Sequence, residues 1–462
     1  MKQLTLLLKP RWGEDTVANM SVYAAYPASE FDKDLSKPAL QYAEQAFGGL
    51  CPFPEWEDFS ITDDLGDIPF EIKDIPSFYT AATYKGIFFL RAPDGEVKWS
   101  MKLLPRVLPE GYRSSPYYDF RAEPLGLNGS NMFSIIFPAV PIQTPVAVHL
   151  DWDLSEMPEG ARGIWSYGEG AVDKVLPLWQ IMLTLYNTGM MHAVEEDGFG
   201  VYWFSEPNFD AESVARRMLP IFHYEKNYFG DGDAQFRVFL RRDPFVDSNG
   251  GSACPYAFIS GYSAYGGADP ERWFNTLLHE MTHTWPSMTD FNVGEGTWFS
   301  EGGTEYYCTI LPYKGGFVDA KFTVDRLNEK IRDRYLDNIY RNLSNEEIAE
   351  IQWKDRRAQT VPYGRGFLYL ANLEAKLKRL GKGSIDELVR KHSIVRPVTP
   401  KEWEDFVVEK LGDEGLRDFE DMKAGKIPVL EADLFGSDIV TVPHEIELNG
   451  KIEQSYHWEV RK

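Results

Sequence analysis

The chain is 462 residues long, and its 71 Asp and Glu outnumber 48 Lys and Arg to give a net charge of −23. That length is more than one hydrophobic core can organise and implies about two to four domains. The charge excludes nucleic acid and anionic membrane surfaces as partners, because both would repel it, and it is expected to disfavour strongly acidic peptides.

Hydrophobic residues at 43% and charged residues at 26% are the proportions of a soluble protein. No stretch approaches the roughly 20 apolar residues of a membrane span. Residues 1–11 hold an apolar run too short for a secretion signal, so they read as a first strand and a cytoplasmic location is expected. Cys51, Cys254 and Cys308 have no metal-ligand spacing and imply no disulfide framework; Cys254 and Cys308 are expected to be small buried residues.

In chain order, Pro and Gly punctuate residues 1–172 between short apolar runs such as 86–90, 132–137 and 146–150. That pattern predicts a β-rich N-terminal domain. Over 173–195, Val175, Leu176, Leu178, Trp179, Met182, Leu183 and Tyr186 recur at helical spacing and predict a helix. Phe236, Val238 and Leu240 alternate, predicting a strand over 235–241.

A second helix is announced by Asp269-Pro270-Glu271: a capping aspartate, proline at the first helical position and a carboxylate at the positive end of the dipole. Trp273, Phe274, Leu277, Leu278 and Met281 give it a buried face, and Pro286 is expected to end it. Near its end come His279, Glu280 and His283. Histidines at i and i+4 lie one turn apart on one face, so both rings can reach a single ion. The bland alternative, an amphipathic helix with two surface histidines, has no use for so much apolar backing.

Residues 298–311 form the next predicted helix, stopping at Pro312. Glu295, Glu301 and Glu305 compete to be a third ligand. Glu295 is flanked by glycines and reads as loop. Glu301 would complete a His₂Glu zinc site with the fourth position open, the catalytic arrangement rather than the structural one. Glu305, four residues on, is placed to accept the other ring N–H of a ligating histidine. Gly302 and Gly303 weaken a helix interior by roughly 0.5–1 kcal/mol each, a cost understandable where substrate or another helix approaches closely. Glu280 suits a general base that takes a proton from water and returns it to the leaving amine. One Zn²⁺ per chain would lower the pKa of bound water towards about 7 and polarise the scissile carbonyl.

Farther on, helices dominate 319–425, including 365–380 and 401–411, and the last thirty residues alternate like strands.

The strings HEMTHTW at 279–285 and WFSEGGTEYY at 298–307 resemble the zinc signature of the gluzincin aminopeptidases, most closely the glycyl aminopeptidase family and its bacterial relatives. Residues 360–367 resemble the helix entry that carries the superfamily's transition-state tyrosine, which implies that Tyr363 donates to the developing oxyanion. Residues 118–124 and 165–170 resemble segments of the β-rich N-terminal domain and its junction to the catalytic domain.

Two departures carry consequences. The spacing from His283 to Glu301 is one residue shorter than the resemblance leads one to expect, so the connecting loop must be tighter. At residues 249–254 the family carries a glycine loop with an acid that anchors a substrate's α-amino group. Gly250 and Gly251 are kept and could pair with an extended peptide, but Ala253 stands where the acid is expected.

The sequence is therefore read as a multidomain α+β zinc metallopeptidase acting on peptides. A β-rich N-terminal domain (1–172) precedes a thermolysin-like catalytic domain (173–312), a helical domain carrying Tyr363 (313–430) and a short β tail (431–462). Its catalytic residues are Glu280 and Tyr363, its metal ligands His279, His283 and Glu301, with Glu305 behind them and Gly250 and Gly251 for substrate. Ala253 keeps open an endopeptidase or oligopeptidase, and a non-catalytic peptide-binding protein of the same fold is the reading from another class. Oligomeric state is left open.

Overall fold

The computed structural model describes residues 3–46, 49–50, 58–77, 82–106, 118–243, 250–265, 269–289 and 296–462. The chain forms two compact units: Met1–Arg216 with Gln235–Trp273, and Arg217–Ala234 with Phe274–Lys462.

The first unit is built from strands. A seven-stranded sheet runs in the order Val172–Pro177, Pro145–Trp152, Gln3–Trp12, Val17–Pro27, Glu96–Leu103, Ser60–Asp63 and Gly66–Asp67. Gln3–Trp12, the strand expected from the start of the sequence, lies inside this sheet, parallel to Pro145–Trp152 and antiparallel to Val17–Pro27. Period-two alternation sends Leu4, Leu6 and Leu8 inward with Val97, Trp99 and Met101. They share one core with Leu40, Tyr84 and Ile87 from a second sheet. Another sheet of the unit is ordered His192–Glu196, Phe199–Trp203, Phe236–Asp243, Ala257–Ser263 and Gly251–Cys254, so Gly251–Cys254 is an edge strand.

The helix expected over 173–195 shrinks to Leu178–Met182, between strands Val172–Pro177, Leu185–Gly189 and His192–Glu196. Pro177 starts it, and Val175, counted towards its apolar face, is 55% exposed on a strand. Leu185–Gly189 is buried on both faces, and such a run reads alike as strand or buried helix from periodicity.

The second unit is mainly helical and closes with a hairpin of Ile439–Leu448 and Lys451–Val460. Asn449 and Gly450 sit at φ 52° and 76°, the positive pair a tight hairpin turn requires. Helix Thr297–Lys314 runs past Pro312, where the sequence suggested a stop. A proline two residues from the end removes one hydrogen bond and leaves the Gly315 N–H on Leu311 O at 2.8 Å. The following helix, Ala320–Leu327, continues into a π-helical segment, Asn328–Leu336. Asn328 and Asp337 tie that segment to the hairpin through Trp458 and Ser455. No helix among the described residues is long and apolar enough to cross a membrane.

Candidate metal centre

Helix Pro270–Thr282 starts where the sequence places it, with the Asp269 carboxylate accepting the Glu271 N–H. Phe274, Leu277, Leu278 and Met281 are at most 1% exposed. The assigned helix ends before Pro286, yet the His283 N–H still reaches His279 O at 3.3 Å, so both histidines share the last turn. Beyond it Trp285 stacks on Phe229, ring centroids 4.9 Å apart. Glu225, fully buried, faces the Thr282 hydroxyl at 2.9 Å, and burial pushes its carboxyl up to about 8. Glu225 therefore stays protonated and neutral at pH 7.

Three ligand atoms converge. His279 Nε2 and His283 Nε2 are 3.1 Å apart, and each is 3.3 Å from Glu301 Oε2. Tetrahedral zinc with bonds of about 2.0–2.1 Å holds its ligand atoms about 3.3 Å from one another. The donors therefore fit zinc both in type and in spacing. His279, Glu305 and Cys308 also lie close together. Arg326 Nη2 sits 2.9 Å from Cys308 Sγ, and its positive charge opposes a cation there.

The remaining ring nitrogens are also engaged. Glu305 Oε2 lies 3.0 Å from His279 Nδ1, and Thr304 Oγ1 lies 3.0 Å from His283 Nδ1. These contacts fix the tautomer that turns each Nε2 lone pair towards the ion. Glu305 Oε1 in turn lies 2.8 Å from Arg326, whose guanidinium also donates to Thr309 and to Asn275 Oδ1. Glu305 was expected in this position; Thr304 and Arg326 were not. Thr304 is adjacent to Glu305 and could have been found by the same helical reasoning. Arg326 comes from another helix, and nothing local marks it.

Burial alone would raise the carboxyls of Glu301 and Glu305, but neighbouring charge wins. His283 and His279 hold Glu301 well below the carboxylate range, and Arg326 followed by His279 brings Glu305 down to about 2. His279 loses basicity to burial and regains more from Cys308, Glu301 and Glu305, so its pKa rises well above the ordinary value. Burial raises Glu280, a shift that suits a group cycling between base and acid near neutral pH.

Tyr363 opens helix Val361–Arg379 and stacks on the His279 ring, centroids 5.6 Å apart and planes 22° apart. Burial, with Glu301 and Glu280 nearby, raises its hydroxyl well above the ordinary value, so it stays a hydrogen-bond donor. Its helix reaches the metal centre through a glycine crossing. A Cβ on Gly302 would fall 2.4 Å from Gly366 Cα, and one on Gly366 would fall 1.8 Å from Trp298 O. The unfavourable glycine after Glu301 is thus explained by helix approach. His279, Glu280 and Tyr363 line a cavity of about 220 Å³.

Gly250, Gly251 and Ala253 belong to the other unit. Gly251 leaves room for Phe258, whose ring would lie 2.1 Å from a Cβ there. Ala253 is exposed on the edge strand, and its carbonyl accepts the Tyr118 hydroxyl at 2.7 Å. Glu295 and Cys51 lie outside the described residues, whereas Cys254 and Cys308 are buried.

Comparison with solved structures covers nearly the whole chain. An aminopeptidase N family protein of Idiomarina loihiensis superposes with a TM-score of 0.65 at 12% identity, over 95% of this chain and 79% of its own. An M1 zinc metallopeptidase mutant of Deinococcus radiodurans, bound to the substrate Tyr-Ser-Ala, gives 0.51 at 15%, over 93% and 95%. Native leukotriene A4 hydrolase of Saccharomyces cerevisiae gives 0.50 at 13%, over 91% and 67%. The fold is that of the M1 zinc metallopeptidases. The gluzincin resemblance and the expected architecture, a β-rich N-terminal part followed by a helical one, therefore hold at the level of this M1 fold. The narrower likeness to glycyl aminopeptidases is more specific than these structures show. No protein-family model and no curated protein sequence matches the chain.

Proposed function

We propose that this M1-fold chain is a zinc-dependent metallopeptidase that hydrolyses peptide bonds in an aminopeptidase-like manner. The observation that carries the reading is the near-equilateral triangle of His279 Nε2, His283 Nε2 and Glu301 Oε2, of the size zinc requires. The substrate class is supported by the neighbour that binds a tripeptide.

Bound zinc supplies a Lewis acid and makes water nucleophilic near neutral pH. The half-buried Glu280 carboxylate takes the proton of the attacking water and delivers it to the leaving amine. Tyr363, protonated across the physiological range, donates to the carbonyl oxygen as negative charge develops there, a stabilisation concentrated in the transition state. Glu305 and Thr304 hold the two imidazoles in one tautomer throughout.

An endopeptidase or oligopeptidase is the second reading. It is favoured by the exposed methyl of Ala253, which offers no charge to an α-ammonium. The deciding experiment profiles the zinc-loaded protein against peptides with free and acetylated N-termini, after elemental analysis, chelation and zinc add-back. Peptidase activity unchanged in metal-free protein would sink the assignment.

A further inference from the structure

The cavity beside the metal centre has an unusual wall for a chain of net charge −23. Arg326, Lys330, Arg334 and Arg356 line it, together with Glu280 and Tyr363. The first three recur every four residues where helix Ala320–Leu327 passes into the π-helical Asn328–Leu336. Like charges at that spacing repel, so the arrangement costs stability. π-helical turns are rare and often mark functional sites. The opposite side of the segment buries Ile331, Tyr335 and Leu336, which fixes the cationic side towards the cavity.

These charges are incompletely matched. Glu305 takes Arg326, and Glu329 is shared between Arg334 and Lys330, the latter at 3.4 Å. Arg356 has no ion-pair partner among the described residues. Burial, and the neighbouring charges of Arg326 and Arg334, lower the pKa of Lys330, so an incoming anion would relieve it.

We propose that Lys330, Arg334 and Arg356 form a subsite for a carboxylate on the leaving half of the substrate. Planar guanidinium forks and an ammonium suit a carboxylate, and a cleft lined by one sign of charge concentrates the opposite one. The leaving half is indicated because Glu280, which returns the proton to the leaving amine, faces the same cavity. The subsite rests on the peptidase reading and narrows its substrates to peptides with an anion beyond the cleaved bond. That anion is either the C-terminal carboxylate of a short peptide or an Asp or Glu side chain. The local wall thus runs against the preference expected from net charge.

The test pairs peptides of one sequence with a free or amidated C-terminus, and C-terminally amidated peptides with Glu or Gln after the cleaved bond. With the zinc-loaded protein, the anionic member of at least one pair is expected to win by about 10-fold or more in kcat/KM, chiefly through KM. The double substitution of the exposed Arg334→Gln and Arg356→Gln is expected to bring that ratio towards one. Equal kcat/KM within both pairs overturns the proposal and leaves the peptidase reading standing, and a preference that survives the double substitution overturns it as well. If no peptide is cleaved, the peptidase reading fails, and calorimetry of the same pairs on zinc-loaded Glu280→Gln protein decides the subsite: tighter binding of the anionic member supports it, equal binding overturns it.

Discussion

Arg326 Nη2 stands 2.8 Å from Glu305 Oε1, and the other oxygen of that carboxylate is 3.0 Å from His279 Nδ1. A buried cation thereby fixes the ionisation of the group that orients the His279 imidazole. Glu305→Gln keeps the shape while removing the charge, and is expected to weaken zinc binding by about 10–100-fold. Arg326→Gln leaves Glu305 buried without its partner and is expected to cost about 3–5 kcal/mol of stability besides. Zinc titration against a competing chelator and thermal unfolding separate the two. Because protons compete for His279, whose pKa is raised, apparent zinc affinity should fall as pH falls. Unchanged zinc affinity in Glu305→Gln would show that this carboxylate has only a packing role.

Glu280 and Tyr363 are expected to separate metal binding from chemistry. Glu280→Gln should retain zinc and lose about 10²-fold or more in kcat, because no ligand is touched. Tyr363→Phe should lose roughly 10²-fold or more while keeping its ring stack on His279. Steady-state kinetics with metal analysis of each variant is the check. Near-wild-type kcat in Tyr363→Phe would mean that another donor serves the oxyanion.

The Gly302–Gly366 crossing makes a prediction about geometry rather than charge. Gly302→Ala puts a methyl within 2.4 Å of the opposite backbone. Neither backbone can yield by rotating a side chain, so the helices must separate. The expected cost is about 1–3 kcal/mol, with kcat falling because Tyr363 rides on the displaced helix. Thermal unfolding and kinetics measure both. A variant with wild-type stability and kcat would show that the crossing has room for a methyl group.

The convergence of His279, His283 and Glu301 was legible because its signals are local: a capped helix, a proline stop, and side chains at helical spacing within a few turns. Glu305 was legible for the same reason, lying one turn beyond Glu301. Arg326 was not, since it meets Glu305 from a separate helix and the pairing leaves no periodic mark. The cost of Gly302 could be read from the sequence, but not the identity of Gly366 as the neighbour behind it. The strand Leu185–Gly189 was mistaken for helix because a strand buried on both faces loses its alternation. The π-helical stretch after Leu327 has no known compositional signature, so its cationic wall emerged only with the backbone.

Glu225 gives a pH dependence with a definite sign. Its folded carboxyl is raised from 4.5 to about 8, so the native state binds the proton more tightly than the unfolded chain. This contribution is full below about pH 4.5, declines as pH rises and is gone above about 8, amounting to at most about 5 kcal/mol. Glu225→Gln is neutral throughout, and its amide oxygen can accept from the Thr282 hydroxyl as the Glu225 carboxyl oxygen does. Its Tm should match the wild type near pH 5 and exceed it increasingly towards pH 8. Parallel Tm curves across that range would show that Glu225 is not held protonated.

The last prediction concerns the α-amino group. In this chain the position at which the resemblance places an amine-anchoring acid is Ala253, exposed on the edge strand Gly251–Cys254 with its carbonyl already accepting from Tyr118. An edge strand can align an extended peptide through backbone hydrogen bonds, but these do not distinguish a free amine from an acetylated one. A desolvated carboxylate–ammonium pair can be worth about 2–5 kcal/mol, whereas an exposed methyl contributes no charge. Peptides with free and acetylated N-termini should accordingly differ by less than about 10-fold in kcat/KM. Substituting Ala253→Glu should raise the preference for the free amine if the position faces the substrate's N-terminus. A preference of about 10³-fold in the unaltered protein would mean that another carboxylate holds the ammonium, and the aminopeptidase reading would then stand without Ala253.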